Sequence, residues 1–261
     1  MEGSGAKSSK PALAAVILAA LAVAGCPTAR RVAPVPAAPQ PTSAVAAAPE
    51  AAPAEAAMPA AALPSPAAGV QRYRIDAAAS LLVVVARRGG VLAAMGHDHV
   101  IASHDLSGYI DLQEPLRASR FALELPVAAL TVDEPALRSG RGAGFDDEVP
   151  QAARAATRDN LLGERVLDAA HYPRITARGL ELSGGPEHFA ARVELTVRDT
   201  RHVALVPVRF ATGPGDTLRI TARFPLSQGA LGLTPFSAAL GALRVEDLLE
   251  VELDVSARRA P

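Results

Sequence analysis

The chain has 261 residues, a net charge of −1 and charged side chains at 20% of positions. With Arg scattered among the acids, that balance gives no long-range attraction to nucleic acid or to an anionic membrane surface. All three Tyr and all six Phe lie at Tyr73 or later, so the first quarter lacks material for a core and one folded domain starts near residue 70.

The chain opens with Lys7 and Lys10, followed by an uncharged, Ala-rich apolar run over 13–23. That run is too short for a spanning helix and suits a signal-peptide core. It ends in Val23-Ala24-Gly25-Cys26, which resembles the lipobox of bacterial lipoproteins. Residues 1–25 therefore read as a lipoprotein signal peptide and Cys26 as the lipidation site. The chain is expected in the cell envelope, held on a membrane by acyl chains on Cys26. Cys26 is the only cysteine, which leaves no partner for an internal disulfide. Residues 27–69 hold 18 Ala and 10 Pro in 43 positions. Pro at that frequency breaks helices, so 26–69 reads as a disordered, partly polyproline-like tether.

From 70 to 261 the pattern is that of strands. Phe189, Ala191, Val193, Leu195 and Val197 alternate with Ala190, Arg192, Glu194 and Thr196. Leu218, Ile220, Ala222, Phe224 and Leu226 repeat the pattern, as do Val251, Leu253, Val255 and Ala257. Period two with one apolar face is a half-buried strand. Residues 81–86 are apolar on both faces, as in a strand at a closed core or along a cavity. Turn chemistry separates the runs at Gly184-Gly185-Pro186, Asp199-Thr200 and Gly213-Pro214-Gly215-Asp216. An antiparallel meander closing on itself follows from this spacing. Two exceptions are expected: a helical stripe over 152–170, stopped by Pro173, and a short helical or irregular piece over 235–249.

The pieces in this order resemble the YceI family of lipocalin-like, polyisoprenoid-binding proteins. The resemblance runs from Tyr73 to Ala257 and rests on several segments. They are Tyr73-Arg74-Ile75-Asp76 with Ser80, then Leu106 to Leu112, and Arg158-Asp159-Asn160-Leu161-Leu162 with Leu167 to Ile175. Val193 to Arg201 completes the set. It departs from the family pattern at Asp199, at Gly96-His97-Asp98-His99 and over the Gly/Ala-rich stretch 138–158. The resemblance implies an all-β, lipocalin-like antiparallel eight-stranded β-barrel with a short helical insertion, around an elongated apolar cavity. It also implies an isoprenoid-like lipid as ligand.

The candidate lining is Leu81, Val83, Val85, Ile110, Leu123, Leu125, Ile175, Phe189, Val193, Leu195, Phe210, Leu218, Ile220 and Phe224. For each of these the competing reading is plain core filling. A second function class rests on His97, His99 and His104. In an extended segment His97 and His99 share a face, with Asp98 opposite. Two imidazoles can chelate Zn²⁺ or Cu²⁺ if His104, Asp105 or His171 supplies a third ligand. The competing reading is a polar loop satisfying its own backbone, and His171 reads as a turn cap. The sequence has no HExxH, nucleophile elbow or dinucleotide-type glycine loop, so a binding module is expected rather than an enzyme.

Overall fold

The computed structural model describes residues 69–185 and 188–260. The expected signal peptide, Cys26 and all of the expected tether before Gly69 lie outside the described residues. Twelve strands follow in chain order. The first six are β1 (Gln71–Ile75), β2 (Leu81–Gly89), β3 (His99–Ser103), β4 (Ser107–Leu112), β5 (Arg120–Pro126) and β6 (Thr131–Val132). Then come β7 (Arg174–Gly185), β8 (His188–Val197), β9 (Thr200–Gly213), β10 (Thr217–Ser227), β11 (Ser237–Ala238) and β12 (Leu243–Arg259). Two helices, α1 (Pro135–Arg138) and α2 (Gln151–Leu162), lie between β6 and β7.

Eight strands close a ring in the order β1-β4-β5-β7-β8-β9-β10-β12, and β12 returns to β1 through Tyr73↔Arg259. Every pairing is antiparallel. The long β12 also pairs with β2, from which β3 and β6 continue as a side branch. A closed ring of eight strands is wide enough for side chains or one small ligand. The hairpins sit where the turn residues fall. Val197↔Thr200 closes a two-residue loop, with Arg198 at φ 55, and Gly213↔Thr217 closes the Pro214-Gly215-Asp216 loop.

Ser80 explains how one strand edge serves two neighbours. Between β1 and β2 the chain makes a 3-10 turn, and Ser80 is buried there. Its hydroxyl donates to the Asp76 carbonyl at 2.7 Å and accepts the Ser256 N–H at 3.0 Å. The β12 edge thus stays satisfied where β1 hands over to β2.

Two expectations about elements need correction. The helical stripe ends at Leu162, well before Pro173, because Gly163 leaves the helix with extended backbone (ψ 165). Val166 and Leu167 then sit in turns. Residues 235–249 are only partly irregular, since β12 begins at Leu243. A bulge between Val245 and Leu249 absorbs the adjacent Leu248-Leu249 that interrupts period two. The strand β2 is apolar on both faces as its sequence suggests: Leu82 and Val84 line the cavity, and Leu81, Val83 and Val85 pack on the other side. Its outer face lies under a cover formed by residues 133–149.

That cover is a second core outside the barrel. Val83, Val85, Val100 and Phe145 form it, with Leu81 and Leu137 packed against it. Gly144, at φ 93, lets the cover close, since a Cβ there would sit 2.4 Å from an Asp98 carboxylate oxygen. Helix α2 is pinned by its arginines. Arg158 Nε donates to the Leu130 carbonyl at 2.8 Å and Arg154 to the Asp133 carbonyl at 3.3 Å. Asp146, Asp147 and Glu148 are exposed, and their chain neighbours Phe145 and Val149 are buried.

Candidate ligand cavity

Inside the ring is a cavity of about 270 Å³. Every ring strand except β1 contributes to its wall. Successive inward positions do so, such as Ala191, Val193, Leu195 and Val197 on β8 and Ile220, Ala222, Phe224 and Leu226 on β10. β12 adds Leu249, Val251, Leu253 and Val255. These are the apolar faces that period-two alternation marks, so local pattern and barrel interior agree. One end is covered by Leu130, Leu161, Val166, Leu167, Leu231 and Leu233. The helical insertion is therefore part of the container.

Only Glu124, Thr176 and Gln228 bring polar side chains to this wall, and two of them are engaged elsewhere. Gln228 is buried and donates its amide N–H to the Glu246 carbonyl at 2.9 Å. Glu124 pairs with Arg174 at 3.3 Å. What remains is a surface of methyl and methylene groups, able to take up apolar matter and offering little to orient a polar head.

Of the fourteen lining candidates, Ile110, Leu123, Leu125, Ile175, Val193, Leu195, Ile220 and Phe224 face the cavity. The other six do not. Leu81, Val83 and Val85 belong to the outer core, and the cavity face of β2 is Leu82 and Val84. With six apolar residues in a row, parity alone could not tell the two faces apart. Phe189, Phe210 and Leu218 occupy the next inward position beyond Ala191, Val208 and Ile220. Phe189 and Phe210 pack ring to ring there, with centroids 4.4 Å apart and planes tilted by 34°. Leu218 is 1% exposed in the core with Tyr73, Val255 and Ala257. These three fill the far barrel end rather than line the space. Among the residues that sequence reasoning passed over, Leu161, Val166 and Leu167 were visible as a helical stripe. Leu249 was hidden by the bulge beside it.

The histidines are spread among separate partners. His97 and His99 face one another edge-on at 6.5 Å between centroids. His99 Nδ1 lies 2.6 Å from an Asp133 carboxylate oxygen, and His104 Nε2 lies 3.1 Å from Glu134. The Asp105 N–H donates to the Ser103 hydroxyl. His171 Nδ1 lies 2.9 Å from Asp168, whose carbonyl also accepts the N–H groups of His171 and Tyr172, which makes the turn. The hydrogen bond to Asp168 raises the His171 pKa. Among the described residues no group of three or more His, Cys, Asp or Glu is arranged to hold a metal ion. The expected three-ligand site at His97, His99 and His104 is therefore corrected: His99 and His104 turn to separate carboxylates, Asp133 and Glu134.

Asp133 is the residue that sequence reasoning missed. Its side chain has no solvent exposure and meets His99, the Val100 N–H at 2.9 Å and Arg138 at 2.8 Å. Arg138 also donates to the Asp98 carbonyl at 2.6 Å and lies over the Phe145 ring. Burial alone would push the Asp133 pKa up, but the three donors outweigh it and hold the carboxyl below its ordinary range. The Asp98 carboxylate engages two further arginines, accepting from the Arg87 side chain at 3.1 Å and from the Arg88 backbone N–H at 2.9 Å. The Gly-His-Asp-His segment is thus a clamp between the barrel and its outer cover.

No family model matches the chain, and no curated protein matches it. Solved structures do. BcnA of Burkholderia cenocepacia aligns with a TM-score of 0.51 at 16% identity, over 70% of this chain and 98% of that one. A YceI protein of Campylobacter jejuni aligns with a TM-score of 0.42 at 12% identity, over 60% and 82%. A mutant of it with a monobromobimane guest gives 0.43 at 11% identity, over the same shares. The likeness to BcnA, together with the closed ring of strands, establishes the fold: an all-β, lipocalin-like barrel of the kind that the resemblance to the YceI family implies.

Proposed function

We propose that this protein is a binding module that takes up an apolar chain in its barrel, and that it does so in the cell envelope as a lipoprotein anchored through Cys26. The observation carrying the ligand reading is the cavity of about 270 Å³, walled by aliphatic and aromatic side chains from seven ring strands. Burying each CH₂ of a ligand gains about 0.8 kcal/mol, so a chain needs no polar anchor to bind there. The volume lies just under the ~300–1,000 Å³ of pockets for drug-sized ligands. That size favours one short alkyl or isoprenoid chain. A long polyisoprenoid would have to displace the side chains that close the ends.

The test is binding of a fluorescent fatty acid to the unit Ala62–Pro261. Val193 lies at mid-strand in the wall and is 6% exposed. Val193→Trp fills the space, and probe binding is expected to fall at least tenfold while circular dichroism keeps the strand signal. Unchanged binding in a folded Val193→Trp variant would place the ligand elsewhere.

A further inference from the structure

Five of the seven large hydrophobic side chains exposed among the described residues gather at one end of the molecule. They are Val91 (90% exposed), Leu92, Met95 (75%), Leu240 (109%) and Leu248. Four of them stand on two loops that hold each other. The Leu92 N–H donates to the Ala242 carbonyl at 2.8 Å. At Gly90, φ 88, a Cβ would fall 2.4 Å from that same oxygen, so only glycine allows the approach. Neither loop carries a charge: residues 89–96 have none, and residues 228–243 have none, in a chain where one residue in five is charged. Charged residues stand at their roots: Arg88, which donates to the Gly96 carbonyl, before the first loop, and Arg244, paired with Glu246 at 3.5 Å, after the second.

Ala239 and Leu240 both adopt left-handed backbone, at φ 49 and φ 56. That conformation is unfavourable for side chains with a Cβ. Here it leaves a leucine wholly in solvent, where its apolar surface gains nothing. Strain combined with an exposed hydrophobe points to a surface that is covered in use.

We propose that these paired loops dock the domain on a lipid membrane surface, with Val91, Met95 and Leu240 entering the acyl region. The loops are suited to leave water because they satisfy part of their own backbone. The N–H groups of Ala93, Met95, Gly96 and Ala242 donate to carbonyls of Gly90, Leu92, Ala93 and Ala239. Uncharged tips offer a second protein no ion pair to fix a register, whereas a bilayer asks for none. Arg88 and Arg244 would then lie at phosphate level. The near-neutral charge of the chain agrees with docking through apolar contact rather than long-range attraction. Exposed Leu248 adjoins Leu249 of the cavity wall, so the docked end is also an end of the container. The docking inference holds whether or not the cavity carries a ligand.

The test uses the full chain with Cys26→Ser, which removes the lipidation site and the only native thiol. A single cysteine is then introduced by Leu240→Cys or, as the control, by Leu205→Cys on the outer wall of β9. Each is labelled with an environment-sensitive nitrobenzoxadiazole dye and mixed with phosphatidylcholine vesicles. The dye at 240 is expected to shift to the blue and brighten severalfold, the dye at 205 to stay unchanged. Adding Val91→Asp and Met95→Asp is expected to abolish the shift at 240. No change at 240, or equal changes at 240 and 205, overturns the proposal. So does a concentration-dependent shift at 240 without vesicles, which would assign the patch to a second copy of this chain.

Discussion

On its inner face β2 sends Leu82 and Val84 into an open cavity. On its outer face Leu81, Val83 and Val85 are packed under Phe145 and Leu137. The same aliphatic residue types serve both faces, and the difference lies in what covers them. The outer core is locked by buried charge, with Asp133, Arg138, His99 and Asp98 tying α1 and the 139–149 loop to β3. The inner space has no polar network to set its contents. Buried ion networks constrain geometry strongly once formed, and breaking one strands its partners. The protein thus sets a buried ion network on the outside of the wall and an apolar cavity on the inside.

The largest way to break that contrast is at Asp133. Asp133→Ala leaves Arg138 buried without its carboxylate and is expected to cost about 3–5 kcal/mol in unfolding free energy, read by urea denaturation. Fatty-acid affinity of the folded fraction should stay near that of the parent, because no cavity residue is touched.

Next comes the direct test of the two faces of β2. Val85 is 1% exposed in a filled core, so Val85→Ala is expected to cost about 2 kcal/mol. Val84 faces the cavity and lacks packing partners on that side, so Val84→Ala should cost about 1 kcal/mol or less. Equal costs would mean that the cavity is as tightly filled as the outer core.

A smaller effect should appear with pH. The folded pKa of Asp133 is held below its ordinary value of 3.8. Its contribution to stability is therefore fully present above the unfolded value and is lost as pH falls through the folded one. In denaturation curves taken from pH 6 downward, the gap between parent and Asp133→Asn should stay constant to about pH 4 and then narrow. A gap that widens with acid would contradict the assignment.

Much of this was legible before the structure. The strands β8 and β10 carry clean alternation, and their inward residues are the ones that face the cavity. Asp76, Ser80 and Arg158 stood in the sequence only as parts of the resemblance, and the structure gives them their roles, the handover of the β12 edge and the pin of α2. What stayed hidden shares a cause: information that a single strand does not contain. Six successive apolar residues in β2 leave the inner face undecided until the cover over Phe145 is seen. A bulge shifts parity in β12 between Val245 and Leu249. Asp133 and Arg138 look like ordinary loop charges, and only long-range packing brings them to His99. His97 and His99 share a face in sequence, but the carboxylate partners of His99 and His104 lie about thirty residues away.

Whether the barrel holds apolar matter is read most directly by native mass spectrometry of Ala62–Pro261, purified without detergent or added metal. The expected result is a heterogeneous adduct in the mass range of a single lipid chain, removed by organic solvent and absent from Val193→Trp. A bare mass for the parent that stays bare after incubation with fatty acids or isoprenoid alcohols would contradict it.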